Sequence, residues 1–262
     1  MSSKDIHFVI QSRNGSKRLP NKAIKKIGKK TVLDILIDRL KNSKHNPRII
    51  IATTNKPIDD SIIKICQKNF VDHYRGHEND VLKRLTCCIK KFKSKIVVHL
   101  TADNFLIDVS LVDWMIDKFL KSKNRFLTNN NFMSMTSQRI PLGMHVSIFK
   151  KRDLILVEQK AIKKEFREHP TLFFYTEGKK IFKPKNIKPL KKWIRDYNPR
   201  ITLDDHRDYM FLKKINNHFL KKQNPNFSLV DILSFLDKNR ELMKINSKVN
   251  QHIPKILKNE KN

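Results

Sequence analysis

Apolar residues along the chain fall into short runs that switch between two periods. Phe8–Ile10, Arg48–Thr53 ("RIIIAT") and Lys95–Leu100 ("KIVVHL") hold unbroken β-branched or aromatic stretches, the pattern of strands covered on both faces. Between and after them the spacing changes to the helical one. Thr31–Leu40 places Val32, Leu33, Leu36, Ile37 and Leu40 on one side, and helices are predicted over 58–69, Val81–Phe92 and Ser110–Leu120. Strands of this kind joined by helices predict an α/β fold, a mostly parallel Rossmann-like sheet sandwiched by helices. Ligands of such sheets sit beyond the carboxyl ends of the strands, which singles out the loops 11–22, 53–60 and 101–108.

The second half is less regular. Gly143–Lys150 alternates like a strand, 153–166 reads as a helix, and Lys180–Pro189 is a lysine-rich connection broken by proline. Ile201–Leu203 reads as a last strand followed by helix 206–220. Residues 228–246 form an interrupted helix starting at the N-cap candidate Ser228. The division this suggests is a main domain over 1–220 and a helical, lysine-rich C-terminal extension over 221–262. No internal repeat is present.

Composition narrows the class. The chain has 262 residues, 39% of them hydrophobic, enough for one domain of ordinary size. Its apolar runs stay far below the roughly 18 residues of a membrane span, so none is expected. Met1–Asp5 lacks the apolar core of a signal peptide. Three cysteines, with Cys87 and Cys88 adjacent, make neither a disulfide framework nor a spaced zinc motif. A reducing, cytoplasmic setting is the expectation. Lys and Arg number 56 against 25 Asp and Glu, a formal charge of +31, which attracts polyanions or highly charged small substrates. The lysines are scattered rather than gathered into a stripe, so no nucleic-acid partner is expected from charge.

The first loop, "QSRNGSKRLPNK", sets Arg13, Arg18 and Lys22 around a single glycine, Gly15. It matches neither a dinucleotide fingerprint nor a P-loop. Backbone N–H groups at the mouth of a sheet, with three cations beside them, still suit phosphate, the alternative being a solvated basic loop. Asp103 stands just past the strand 95–100, where a carboxylate can hold a metal opposite phosphates. Asp108 reads as a cap or turn residue, and Asp204, Asp205 and Asp208 cluster after 201–203. Two carboxylates from distant segments and a cationic loop suit a Mg²⁺–nucleoside triphosphate, although each aspartate alone reads as a helix cap.

These residues resemble the cytidylyltransferases that activate acidic sugars as CMP-sugars, especially the spore-coat polysaccharide branch of that family. "QSRNGSKRLPNK" is similar to the family's nucleotide loop, "YRGHENDVLKR" (74–84) to its second motif and "TADNFLID" (101–108) to its third. "REHPTLFFY" (167–175) and "PRITLDDHRDYMF" (199–211) are similar to the two later ones, and "ILSFLDKNRELMKIN" to the C-terminal segment of some members. The order holds over nearly the whole chain. One motif departs: "PLGMHVSIF" (141–149) carries Leu142, His145 and Ser147 where the family commonly has carboxylates.

The resemblance implies the nucleotide-diphospho-sugar transferase fold and attack of an acceptor hydroxyl on the α-phosphorus of CTP, with loss of pyrophosphate. Arg13 and Lys22 would bind phosphate oxygens, Gly15 and Ser16 would offer backbone to them, and Arg18 would assist. Asp103 and Asp204 would hold Mg²⁺, which makes Arg13, Lys22 and Asp103 the implied catalytic set. Thr53 and Asn55 would meet base or ribose from their position past the second strand. Arg75 and Asp80 would bind nucleotide or order the loops. His145, Arg167 and His169 would face the acceptor, with a structural role as the alternative for His145. The implied partners are CTP, a small acidic sugar of nonulosonic-acid type for a surface glycan, and a second copy of the chain through 130–190. The altered strand leaves two alternatives: a different hydroxyl or phosphonate acceptor, or a catalytically impaired basic binding protein.

Overall fold

The computed structural model of the protein describes residues 5–129, 140–251, 254, 256 and 257. Part of the expected acceptor and dimer segment, 130–139, therefore lies outside the described residues. The framework is a seven-stranded sheet built on the three apolar runs: β1 (Ile6–Gln11), β4 (Arg48–Thr54) and β6 (Ile96–Thr101). With β5 (Asp72–Gly76), β7 (Phe126–Thr128), β8 (Ser147–Lys150) and β9 (Lys185–Asn186), the order is β5-β4-β1-β6-β8-β7-β9. β1 pairs in parallel with both β4 and β6, and β4 with β5, whereas β8 runs antiparallel to β6 and to β7. The mostly parallel α/β sheet expected from the sequence is present. A small hairpin, β2 (Lys26–Ile27) with β3 (Lys30–Thr31), leads into the first helix.

An unbroken apolar strand must serve two cores, and β1 does so residue by residue. Phe8 and Ile10 belong to one hydrophobic cluster and Val9 to the other. The first cluster is covered by α1 (Val32–Leu40), α2 (Asp60–Lys68) and α4 (Val109–Leu120), together with α9 (His206–Lys221) and α10 (Leu229–Asp237). The second is covered by α3 (Val81–Lys91), α5 (Lys151–Lys160), α6 (Lys164–Glu168), α7 (Leu172–Tyr175) and α8 (Lys179–Phe182). The stacked rings of Phe126 and Phe174, with centroids 4.3 Å apart, fill its centre.

Several elements differ from the sequence reading. The helix expected over 153–166 breaks into α5 and α6 at residues 161–163, and Gly143–Lys150 is strand only from Ser147. Ile201–Leu203 is buried but is not a sheet strand. Its neighbourhood holds one parallel bridge, Leu142 to Arg200. The helix over 228–246 is interrupted as expected: α10 ends at Asp237 and a single-turn helix follows over Arg240–Ile245. Ser228 caps α10, accepting from the Asp231 amide at 3.2 Å. Asp108 caps α4 and also accepts from the Leu229 amide at 2.9 Å. Arg39, 4% exposed, donates to the carbonyls of Ile107 and Pro225, each at 3.1 Å, and of Phe227 at 2.6 Å. Residues 227–236, after 221, are thus packed on the same core as the sheet.

The buried His99 on β6 makes the fold sensitive to acid. Burial, the neighbouring Arg84 guanidinium and only a partly compensating Asp103 push its pKa from 6.5 down to about 4. A base depressed in the folded state favours folding above its unfolded pKa and loses that contribution as pH falls towards the folded one. Stability on the order of 3 kcal/mol should therefore disappear between about pH 6.5 and pH 4. Thermal melts across that window should show a steep acid limb in the wild type and a shallower one in His99→Leu. Identical limbs would show that His99 is not its source.

Candidate active site

The loop after β1 is pinned by one buried residue. Asn14, with no exposure, donates its amide N–H to Asp59 Oδ1 at 2.7 Å and its side-chain amide to the Ile58 carbonyl and Ser61 Oγ, both at 2.9 Å. Its own carbonyl accepts from the amides of Ser16 at 2.8 Å and Asn21 at 3.0 Å, which closes the loop on itself. Leu19 is 4% exposed and anchors the loop in the first cluster. Asn21 then takes a left-handed conformation (φ 58°), a short-side-chain habit, and turns the chain into the single turn Lys22–Ile24. Ala23 is buried beneath, so Lys22 projects above the sheet. At Gly15 an added Cβ would meet only Glu78 Oε1, at 3.7 Å. The protein's own packing does not require that glycine, and its bare backbone faces the cavity.

Lys22 is the centre of the site. Its Nζ donates to Asp103 Oδ2 at 2.7 Å, to the Leu203 carbonyl at 3.2 Å and to Asp204 Oδ1 at 3.3 Å. Asp103 is presented by the end of β6 and steadied by the Thr101 hydroxyl, and its carbonyl accepts from the Leu203 amide at 3.0 Å. Asp204 also receives Arg18 at 3.3 Å and Arg200 at 2.8 Å. Burial alone would lower the Lys22 pKa, but Asp103 and Asp204 outweigh it and the ammonium is held above its ordinary value. Burial opposes the Asp103 charge too, and Lys22 with the Thr101 hydroxyl keeps that carboxyl below its ordinary range. The pair is ionised throughout the neutral range.

Around it lies a cavity of about 850 Å³ at the carboxyl ends of the strands. Arg13, Gly15, Ser16, Arg18, Lys22, Asp103, Asp204 and His169 all line it. Thr53, Asn55, Arg75, Asp80, His145 and Arg167 do not. Thr53 is fully buried, and Asn55 donates its amide to the Gly76 carbonyl at 3.1 Å. Arg75 is spent on the 54–60 loop, reaching the Thr54 carbonyl at 3.0 Å, the Lys56 carbonyl at 2.9 Å and Asp60 at 2.6 Å. Asp80 caps α3 and is gripped by Arg167, with NH2 to Oδ2 at 2.6 Å, while Arg167 NH1 also donates to the Glu158 carbonyl at 3.1 Å. That pair fastens α6 to the start of α3 and so carries Glu168 and His169 to the cavity. Burial pushes His145 down to about 4, which makes it a neutral imidazole near pH 7. Of the carboxylates after residue 203, Asp205 caps α9, and Asp208 is a buried acceptor for the Asp204 and Asp205 amides.

Residues that sequence reasoning passed over complete the wall. Glu78 and Asn79 line it, and the Glu78 carbonyl accepts from Arg13 at 3.4 Å. Glu78 lies inside the "YRGHENDVLKR" segment, so a signal existed. Asn250 and Gln251 line it from the far end of the sequence, where no motif marked them. Arg84, beneath Arg13, is lowered to about 10 by its burial and by the Arg13 charge, so this floor is strongly cationic.

Two carboxylates within reach of one ammonium form an all-oxygen donor pair of the kind hard divalent cations use. Among the described residues no cluster of three or more His, Cys, Asp or Glu is placed to hold a metal. Asp103 and Asp204 could thus hold Mg²⁺ only alongside water or substrate phosphates, its usual mode.

The sequence profile described as cytidylyltransferase matches residues 7–256. The chain belongs to the cytidylyltransferase family. It is 35% identical over 243 residues to an uncharacterized protein of Methanocaldococcus jannaschii, covering 93% of this chain and 95% of that one. To the spore coat polysaccharide biosynthesis protein SpsF of Bacillus subtilis it is 28% identical over 240 residues, covering 90% and 95%. A cytidylyltransferase structure from Leptospira borgpetersenii superposes with a TM-score of 0.83 at 32% identity, over 95% of this chain and all of that one. A CMP:2-keto-3-deoxy-manno-octonic acid synthetase complexed with CTP shares the fold at a TM-score of 0.63 and 13% identity, over 82% and 99% of the two chains. This cytidylyltransferase is therefore a nucleotidyltransferase whose cationic loop and two aspartates meet in one cavity. Among its described residues no helix is long and apolar enough to cross a membrane.

Proposed function

We propose that this cytidylyltransferase uses CTP to transfer CMP to a hydroxyl of a small acidic sugar of nonulosonic-acid type, releasing pyrophosphate, in surface-glycan synthesis. The observation that carries the reading is Lys22 held between Asp103 and Asp204 at the floor of a cavity that Arg13 and Arg18 also line. The acceptor oxygen forms a bond to the α-phosphorus as the bond to the bridging oxygen of the β-phosphate breaks. The acceptor's proton leaves to solvent and the electron pair departs with pyrophosphate. Such a reaction needs charge neutralisation and in-line placement more than a dedicated base.

Each residue has a task in that scheme. Lys22 and Arg13 bind phosphate oxygens and neutralise charge that builds on the leaving pyrophosphate. The open backbone at Gly15 and Ser16 lets the triphosphate lie close to the loop. Asp103 and Asp204 would hold a divalent cation such as Mg²⁺, which would supply acidification of the acceptor hydroxyl and screening of the phosphates. Across 141–149 the chain carries no carboxylate, with Leu142, His145 and Ser147 in the departing positions, which is the reason to test hydroxyl and phosphonate acceptors beside the sugar acids. Dimer formation and a cytoplasmic location belong to the same proposal.

The test is pyrophosphate release from CTP and Mg²⁺ across a panel of nonulosonic acids and related sugar acids, with hydroxyl and phosphonate compounds as a second arm. CTP with Mg²⁺ at 100 times its Kd should also stabilise the fold by about 2.7 kcal/mol in a thermal shift. Asp103→Ala should abolish turnover, and retained activity in it would sink the metal assignment. Stabilisation by oligonucleotide and not by CTP would instead favour a basic binding protein.

A further inference from the structure

The C-terminal segment comes back to the active site. Asn246, 2% exposed, donates its side-chain amide to the Arg200 carbonyl and to Asp208 Oδ1, both at 2.9 Å. Four and five residues later Asn250 and Gln251 stand in the cavity wall. Leu257, 4% exposed, then packs in the hydrophobic cluster on the opposite face of the sheet from α9 and α10. From the Asn246 anchor, the described residues up to Gln251 therefore cross to the cavity wall at the carboxyl ends of the strands.

At the crossing it meets both guanidinium groups that hold Asp204. Arg18 NH1 donates to the Asn250 carbonyl at 3.4 Å while its NH2 lies 3.3 Å from Asp204 Oδ1. Arg200 NH1 donates to Gln251 Oε1, its NH2 to Asp204 Oδ2 at 2.8 Å and its Nε to Asp208 Oδ1 at 3.0 Å. Lys22 and Arg18 reach Oδ1 of Asp204, whereas Arg200 takes Oδ2. We propose that Gln251 is a positioning residue for Asp204, acting through Arg200, so that segment 246–251 is a working part of the active site.

The physical argument rests on the rigid fork of arginine. A guanidinium is planar, and three acceptors on three nitrogens fix both its plane and its reach. The Arg200 side chain is 8% exposed, so withdrawing Gln251 Oε1 leaves a poorly solvated N–H without its acceptor. The guanidinium then gains by tilting towards another acceptor, and the Asp204 carboxylate turns with it. Partners that orient a metal-binding carboxylate commonly change metal affinity about 10-fold to 100-fold when removed.

This inference rests on the reading of Asp204 given under Proposed function. The experiment uses the full chain as wild type, Gln251→Ala, Gln251→Asn and Gln251→Glu. Mn²⁺ binding in the presence of CTP is followed by electron paramagnetic resonance, with melting temperature, kcat and KM for CTP alongside. Gln251→Ala should melt close to the wild type, bind Mn²⁺ about tenfold more weakly and lose about tenfold in kcat with KM for CTP little changed. Gln251→Glu, which restores an acceptor to Arg200, should recover most of both losses. If the alanine variant does not fold, Gln251→Asn, whose shorter side chain withdraws the acceptor, carries the same comparison. A folded variant lacking the acceptor with Mn²⁺ affinity and kcat within about twofold of the wild type overturns the inference alone. A wild type that binds neither CTP nor Mn²⁺ overturns both the functional reading and the inference.

Discussion

Lys22→Ala is expected to lower pyrophosphate release from CTP by about 10³-fold or more, an effect of the same order as that of Asp103→Ala. The side chain sets one positive charge between two carboxylates. In the free protein its ammonium bridges Asp103 at 2.7 Å and Asp204 at 3.3 Å. In the proposed reaction it would turn to phosphate oxygens, leaving Asp103 and Asp204 as the residues that would hold a divalent cation. Alanine removes the phosphate contact and also leaves the mostly buried Asp103 without its cation, while Asp204 keeps Arg18 and Arg200. A second signature follows from linkage. Asp103 lies below its ordinary pKa of 3.8, so its contribution to stability is present above that value and is lost as pH falls through the folded pKa. Lys22 lies above 10.5, so its contribution is present below that value and is lost as pH rises through the folded pKa. Both contributions vanish in Lys22→Ala, which should therefore melt lower across the neutral range and regain stability when Mg²⁺ is added. Steady-state kinetics and melts with and without Mg²⁺ measure both. Turnover within tenfold of the wild type would remove Lys22 from the chemistry.

The largest loss of stability is expected at Gly143. Its φ of 101° lies in the region that side chains avoid, and an added Cβ would sit 2.2 Å from the Ile201 carbonyl oxygen and 2.5 Å from its carbon. No rotamer relieves a clash between two backbones. Gly143→Ala should cost about 3 kcal/mol or more, a fall in Tm of roughly 10 °C. The damage should also reach the site. Leu142 and Arg200 form the bridge that sets the two segments side by side, and the Ile201 amide donates to the Leu142 carbonyl at 2.8 Å. Pushing residue 201 outward moves Arg200 on one side and the Leu203 carbonyl and Asp204 on the other. Calorimetry on Gly143→Ala decides the first point. A Tm within 2–3 °C of the wild type would show that the approach relaxes cheaply.

The departing motif "PLGMHVSIF" takes on a different meaning beside this contact. Read along the chain, its notable positions were Leu142, His145 and Ser147, where charge is missing. In the fold its least replaceable residue is the glycine between them, because two strands' worth of backbone approach each other there without being a sheet. The same approach places Ile201–Leu203 in the interior with no strand partner of its own among the described residues, the bridge beside it joining Leu142 to Arg200.

What was legible depended on how many neighbours a segment has. The buried runs of β1, β4 and β6 announce themselves because both faces must be apolar. β5, "DHYRG", is half-buried along most of its length at the sheet edge and carries no apolar run to find. β7 and β9 are too short for any period to show. Caps were legible for the same local reason: as caps, Ser228 and Asp108 act within three residues of themselves, although Asp108 also reaches the Leu229 amide.

By itself the sequence determined the layered α/β sheet, the cationic loop after the first strand and the carboxylate after the third apolar run, since each depends on burial or chemistry within a few neighbouring residues. Only the tertiary structure decided which charges meet. Lys22 lies 81 residues from Asp103 and 182 from Asp204, and no local pattern encodes those distances. It also decided that Arg75, Asp80 and Arg167 pair with loops and helices of the chain, while Glu78, Asn250 and Gln251 line the cavity. A charged side chain reads the same in sequence whether it is paired with its own scaffold or left facing a ligand. Which of the two it becomes is settled by the partners that folding brings within about 3 Å of it.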